Sequence, residues 1–368
     1  MAAGARSSLR IWIDLANSPH PLLFAPVSRR LEAAGHEVAI TVRDNAQTLE
    51  LASTYWPSSL VIGTESPAGR AAKAATLGRR ALELARWARN RRPDVALSHN
   101  SYAQIVAART LGIPVVTAAD FEHQPANHLA FRLATRILVP EALRNTRIAR
   151  QGALGRKTTF YPGLKEELYV GDFELDHEIL SRLGIRRSAE EAIVVTRTPP
   201  SRAIYHRFHN PVFLETLRAL DGDPNAVLVV LTRHREQRAA IEALKLRRCL
   251  IPEHAVDARS LMHEADLVVG AGGTMTREAA LLGVPTVSLF AGAQPAVDRW
   301  LEQHGMLRRI SNPEEVLPVQ RRPTDPKSTE ELTDRGSKLI DVVIEAVETT
   351  GRRGLDGNRG SPSHAPER

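Results

Sequence analysis

The feature that most constrains this chain is a rhythm, in which short β-branched runs alternate with longer alanine- and leucine-rich stretches, twice over. In the first half LRIWIDL, HEVAITV, DVALS, IPVVTAA and RILVP read as strands, with helices expected at 22–34, 44–54, 68–91, 101–110 and 122–135. In the second half the strands are EAIVVTR, AVLVVLT, DLVVG and VPTVSLF, with helices near 210–220, 234–245, 274–283 and 295–303. Parallel strands need a long crossover, usually helical, so this alternation predicts an α/β fold with two parallel-sheet, Rossmann-like domains. Between the halves, YPGLKEELYVGDFELD carries Pro162, Gly163 and Gly171 in a mixed polar context, the composition of an interdomain linker. The expected domains are 1–165 and 166–350; STEELTDRGSKLIDVVIEAVETT is expected to form a terminal helix of the second, and 351–368, rich in glycine, arginine, serine and proline, a disordered tail.

At 368 residues and 43% apolar side chains the chain is long enough for two cores and too apolar to be mainly disordered. The single cysteine, Cys249, makes neither an intrachain disulfide nor a zinc site by itself. No run reaches the roughly 18 apolar residues that span a bilayer, and Asp14 interrupts the first apolar run before it reaches signal-peptide length. The expected location is the cytoplasm. Net charge is +7, and residues 66–93 account for all of it, with Arg70, Lys73, Arg79, Arg80, Arg86, Arg89, Arg91 and Arg92 set against Glu83. Leu77, Ala81, Leu84 and Ala88 recur at three- and four-residue steps, which predicts an amphipathic helix with a basic outer face. That face suits anionic lipid at the inner side of the plasma membrane or a phosphorylated substrate; a solvated helix without a partner is the alternative. Aromatics at 5% and the lack of zinc-finger or RNA-recognition spacing weigh against nucleic acid.

Open α/β sheets bind ligands outside the carboxyl ends of their strands, so polar residues there carry the most weight. After the first strand, DLANSPH offers Asp14, Asn17, Ser18 and His20. His20 is a candidate proton-transfer group, and Asp14 either an acid–base group or a brace for the loop. SHNSYAQ places His99, Asn100 and Ser101 at the same edge, Ser101 also suiting a helix cap. DFEHQPANH adds Asp120, Glu122, His123, Asn127 and His128, a set better matched to acid–base or sugar-hydroxyl work than to metal spacing, with a surface capping network as the rival reading. The dinucleotide fingerprint GxGxxG is missing from the first loop, which lowers the case for hydride transfer. The strongest local signal is DLVVGAGGTMTREAALLGVPTVSLF. Here a buried strand runs into Gly270, Gly272 and Gly273, and a helix opens around Thr274 and Met275, the arrangement that offers backbone N–H groups to phosphate. Glu278, one turn in, is suited to ribose hydroxyls, while Arg197 and Arg233 at strand ends are suited to neutralising phosphate or to surface ion pairs.

Through IWIDLANSPH, YPGLKEELY and GAGGTMTREAALLGVPTVSL the chain resembles the domain of unknown function 354 family, over roughly residues 9–345. Through the second-half glycine/helix motif it is more distantly similar to GT-B glycosyltransferases and UDP-N-acetylglucosamine 2-epimerases, whose two Rossmann-like domains enclose a nucleotide-sugar cleft. The resemblance implies a GT-B-like fold, ribose binding by Glu278, phosphate binding by Gly272 through Met275, and Arg197 beside the diphosphate. The peptidoglycan GlcNAc transferase has a first-loop histidine on its acceptor side, matched in position by His20, although NSPH replaces its glycine-rich loop. The epimerases' HGD-type acid has no counterpart in SHNS, and their second-domain histidine is replaced around TRTPP; Asp120 and Glu122 keep carboxylate capacity nearby.

The expected function is metal-independent glycosyl transfer from a UDP-linked donor to a glycan or lipid-linked acceptor in cell-envelope or polysaccharide biosynthesis, with no cofactor beyond that substrate. Epimerisation or hydrolysis of a UDP-sugar, and nonenzymatic nucleotide-sugar or lipid-phosphate binding, are the alternatives.

Overall fold

The computed structural model describes residues 8–45, 47–65, 69–199, 211–232, 235–254, 256–322 and 329–359. The chain divides into two compact units, Met1–Leu168 together with Ser337–Arg368, and Tyr169–Gly336. In the first unit β1 (Arg10–Leu15), β2 (Glu37–Val42), β3 (Leu60–Val61), β4 (Val95–His99), β5 (Val115–Ala118), β6 (Arg136–Pro140) and β7 (Thr158–Tyr161) form one parallel sheet. Its strand order is β3-β2-β1-β4-β5-β6-β7. In the second, β8 (Ala192–Arg197), β9 (Ala226–Leu231), β10 (Cys249–Leu250), β11 (Leu267–Gly270), β12 (Thr286–Ser288) and β13 (Arg308–Arg309) form a parallel sheet of order β10-β9-β8-β11-β12-β13. These are the two Rossmann-like α/β sheets the alternation predicts.

The central strands are covered on both faces, and their sequences show it. In β1 every residue after Arg10 is buried, and β11 is buried throughout, so both read as unbroken apolar runs. Each of the nine expected strands is present. The four that periodicity misses, β3, β7, β10 and β13, are the four sheet edges. Edge strands are short and need no apolar run, which removes the signal.

The expected boundary at 165 falls at 168 instead, and the carboxyl-terminal part of the chain belongs to the other unit. The helix Glu330–Arg359 begins in the second unit, but from Ser337 it packs with the first. There Leu339 and Val343 line an apolar cavity with Leu23, Phe24, Val27 and Tyr161, and Glu348 pairs with the buried His36 at 3.1 Å. Residues 351–359, expected to be disordered, continue this helix, and Gly351 fits against Leu9 and Val95 where a larger residue would collide. Among the described residues no helix is long and apolar enough to cross a membrane.

Candidate functional site

In each sheet the strand order reverses once, between β1 and β4 in the first and between β8 and β11 in the second. Loops leave such a reversal in opposite directions and open a crevice at the strands' carboxyl ends. Nearly all the chemistry singled out in the sequence lies at these two places.

Beneath the first reversal lies a sealed polar brace. Asp14, fully buried on β1, accepts four hydrogen bonds, from Thr41 at 2.5 Å, from both terminal nitrogens of Arg80 at 2.8 and 2.9 Å, and from the Ser101 hydroxyl. Arg80 Nε also donates to the Ile62 carbonyl at 2.8 Å. Two expectations are corrected by this arrangement. Arg80 does not belong to the basic outer face of its helix, Arg70–Arg91; it is only 4% exposed and neutralises Asp14. Asp14 has its carboxylate occupied and acts as the loop brace, not as an acid–base group. Ser101 begins the helix Tyr102–Thr110 without capping it, because its hydroxyl is committed to Asp14.

Above the brace, the ends of β1, β4, β5 and β7 bring titratable groups together. His20 opens the helix His20–Ala33 and is 3% exposed, its ring 5.5 Å from that of His99. Burial, followed by the electrostatic influence of neighbouring His99 and Lys165, holds the His20 pKa well below the ordinary histidine range, with Asp120 opposing. The side chain is therefore neutral at physiological pH. Its Nδ1 accepts the Ala16 N–H at 3.1 Å, which puts the ring proton on Nε2. In this geometry His20 is a hydrogen-bond donor and not the base the sequence suggests.

Asp120 ties the rest of the cluster together. One carboxylate oxygen lies 3.3 Å from His99 Nε2, an ion-pair approach without hydrogen-bond alignment, and the other lies 2.7 Å from Lys165 Nζ. Lys165 also contacts Glu166. Lys165, Glu166 and Asp120 are all at least nine-tenths buried, so the ammonium supplies positive charge between two carboxylates. Glu122 pairs with His123 at 3.5 Å, and its carbonyl accepts from Gln151 at 2.6 Å. Asn127 holds the loops, accepting from Asn100 at 3.0 Å and donating to the Phe121 carbonyl at 2.9 Å. His128 lies on the surface, beside Arg132 at 3.0 Å. Among the described residues no group of three or more His, Cys, Asp and Glu side chains is arranged to hold a metal ion. Sequence reasoning missed Lys165 and Glu166. The signal lies in YPGLKEELY, where two acids follow a lysine directly after an edge strand, but its mixed composition reads as a linker.

The second reversal is built differently. β11 ends at Gly270, and Gly272 and Gly273 turn the chain into the helix Thr274–Leu281 with φ of 86° and 95°. A side chain would strain this left-handed backbone, and around Gly273 there is open space. No described side chain caps the helix start, so its first N–H groups are left for another acceptor. Met275 has its side chain buried, so its backbone is what it can offer. Glu278 is 7% exposed and accepts from the Tyr169 hydroxyl at 2.5 Å. Arg197, the last residue of β8, is held below the usual arginine pKa by burial, with Glu278 opposing. On the far side, Arg277 pairs with the buried Asp298 at 2.8 Å and ties this helix to Ala296–Gln303. Arg233 lies outside the described residues. Cys249 is pushed up to about 11 by burial and by Asp221, which keeps it a thiol at neutral pH.

The protein family described as "Protein of unknown function (DUF354)" matches residues 9–349. The chain belongs to this family. "Uncharacterized protein MJ0665" of Methanocaldococcus jannaschii is 29% identical over 316 residues, covering 84% of this chain and 90% of that protein. Among solved structures, the M. jannaschii UDP-GlcNAc 2-epimerase in complex with UDP-GlcNAc and UDP superimposes with a TM-score of 0.69 at 14% identity, covering 92% of this chain and 100% of that one. The glycotransferase of kitacinnamycin superimposes with 0.57 at 18% identity, covering 96% and 100%. At these identities the likeness is one of fold, and the fold is the GT-B type expected for this family member.

Proposed function

We propose that this protein is a nucleotide-sugar-dependent glycosyltransferase of glycan or cell-envelope biosynthesis, working on a UDP-linked donor without a metal. The observation that carries this reading is the placement of Arg197 at the end of β8 and of Glu278 one turn into the helix, beside its uncapped, glycine-opened start. A nucleoside diphosphate needs those three elements in one place, namely fixed positive charge, backbone N–H groups for phosphate and a carboxylate for ribose hydroxyls. The solved epimerase that holds UDP-GlcNAc and UDP shares the fold and supports the same ligand class here.

In this reading the nucleotide is held by the second unit. Arg197 and the N–H groups of Thr274 and Met275 stabilise the charge that develops on the departing diphosphate. Ribose hydroxyls donate to Glu278, which requires the Tyr169 hydroxyl to share or yield its carboxylate oxygen. The first unit supplies proton transfer. The His99–Asp120 pair takes the acceptor hydroxyl proton as the new glycosidic bond forms and the bond from the anomeric carbon to phosphate oxygen breaks. Neutral His20 donates a hydrogen bond through Nε2, and Lys165 holds the Asp120 carboxylate in place through their ion pair.

A second reading, epimerisation or hydrolysis of the nucleotide sugar, is favoured by the density of acid–base groups around Asp120 and by the epimerases that share the fold. The discriminating experiment is incubation with UDP-sugars, with and without polyprenyl-phosphate or polysaccharide acceptors, read by mass spectrometry. A sugar added to the acceptor with release of UDP is the expected result. A changed sugar still joined to UDP, or free sugar and UDP without acceptor, supports the second reading. Saturable binding without conversion means a binding protein, and no binding across a broad nucleotide panel rejects the proposal.

A further inference from the structure

The helix Arg70–Arg91 carries a cationic face that the chemistry above does not use. With Arg80 turned inward, the residues left exposed include Arg79, Leu82, Arg86 and Arg89. At about 100° per residue they share one stripe roughly 80° wide, in which Arg79 and Arg89 stand about 15 Å apart along the axis. Ala81, Leu84 and Ala88 on the opposite side are buried, and Trp87 packs on Trp12 with ring centroids 5.3 Å apart, so the helix is fixed and the stripe cannot turn inward. Arg79, Arg86 and Arg89 make no ion pair with any described residue. Among the described residues no carboxylate neutralises their charge.

A second observation concerns exposed apolar groups of the first unit close in sequence to this helix. Leu82, at the centre of the arginine stripe, is 61% exposed, the most exposed of the large apolar side chains among the described residues. Tyr55, Leu60 and Val61 are exposed as well, so four of the seven such side chains fall between residues 55 and 82. Leu60 and Val61 form the edge strand β3, and the Arg80 bond to the Ile62 carbonyl holds the middle of the helix against the end of that strand. Trp56 packs against Tyr55, ring centroids 5.6 Å apart and planes tilted by 52°, just before the strand.

We infer that this edge of the first unit is a peripheral docking surface for the anionic lipid headgroups of a bilayer. Arginine pairs with phosphate oxygens through two N–H groups, and exposed leucine, valine and tyrosine side chains sit favourably at the headgroup boundary. The apolar component distinguishes this surface from a nucleic-acid face, which gains little from leucine and valine. It also distinguishes it from a purely solvated helix, whose arginines would be interleaved with acids; Glu83 is the only acid in the helix. The inference goes beyond the proposed function and does not depend on it.

The test is co-sedimentation of the full chain with vesicles of phosphatidylcholine alone or with about one-third phosphatidylglycerol. The protein is expected to bind the phosphatidylglycerol vesicles, to ignore the neutral ones and to be released by high salt. Combining Arg79→Gln, Arg86→Gln and Arg89→Gln should lower binding on the order of a hundredfold, taking about fivefold for each cation near an anionic surface. Leu82→Asp alone should also weaken it. A control combining Arg218→Gln, Arg299→Gln and Arg308→Gln removes the same charge from the second unit and should bind as the native protein does. Equal binding to both vesicle types, equal loss in the control, or binding to a duplex oligonucleotide with the vesicles ignored would each overturn the inference.

Discussion

The two sheet reversals solve different problems with the same topology. At the first, side chains do the work: His20, His99, Asp120, Lys165 and Glu166 are buried together and held in place by an Asp14–Arg80 pair below. At the second, the backbone does it: two left-handed glycines open a helix start, and Arg197 and Glu278 are the charged groups beside it. A surface of N–H groups with one cation suits binding a diphosphate. A buried set of coupled acids and bases suits moving protons. Under the proposed function this difference amounts to a division of labour, with recognition in the second unit and chemistry in the first.

The largest expected effect is on the brace. Arg80→Leu leaves Asp14 charged and unpaired in the core and should cost about 3–5 kcal/mol of stability in urea unfolding. Because it lies in the first unit, nucleotide affinity of the folded fraction should be unchanged; a parallel loss of affinity would break the division. Next is Lys165→Met, which sets Asp120 and Glu166 against each other without their cation. It should lower turnover by about a hundredfold, near 2.7 kcal/mol, with little change in donor affinity measured by calorimetry. A larger effect on donor binding than on turnover would move Lys165 into recognition.

Smaller effects sharpen the picture. Tyr169→Phe frees one oxygen of Glu278 for ribose and should change nucleotide affinity by only a few-fold, in the direction of tighter binding. If affinity instead falls tenfold, Tyr169 is part of the binding surface and not a competitor for it. The smallest effect concerns pH. His20 has its folded pKa lowered by burial, so above the unfolded value of about 6.5 both states are neutral and its contribution is fully present. As pH falls below that value the unfolded chain takes up a proton the folded chain resists, and stability is lost. His20→Asn, which can still accept the Ala16 N–H, should flatten this acid-side decline, leaving the contribution of His263, whose pKa burial also lowers. An unchanged slope would mean that His20 is protonated in the fold.

How legible each site was in the sequence follows from how it is built. The second lies largely in one contiguous stretch, Asp266–Phe290, where strand, glycines, helix start and glutamate follow in order, and only Arg197 and Tyr169 come from elsewhere. The first is assembled from the ends of four strands, and its members are separated by up to 146 residues, from His20 to Glu166. The strand-end rule located His20, His99 and Asp120 but could not say which proton each holds. His20 was expected to be a base because its Nδ1 contact with Ala16 is a property of the folded loop. Arg80 was hidden among eight cations of one segment, and nothing in the spacing marks it as the one that turns inward. The four edge strands lack the apolar run that would mark them, and return of the chain to the first sheet leaves no mark on the periodicity of the terminal helix, so its unit is not legible.

The central claim is tested most directly by titrating UDP into the native protein, Glu278→Ala and Asp120→Asn in a calorimeter. The account predicts saturable binding by the native protein, at least tenfold weaker binding by Glu278→Ala, and an affinity within about twofold of native for Asp120→Asn, since a ribose carboxylate is lost in one and only proton chemistry in the other. Equal weakening by both substitutions, or an affinity indifferent to Glu278, would contradict it.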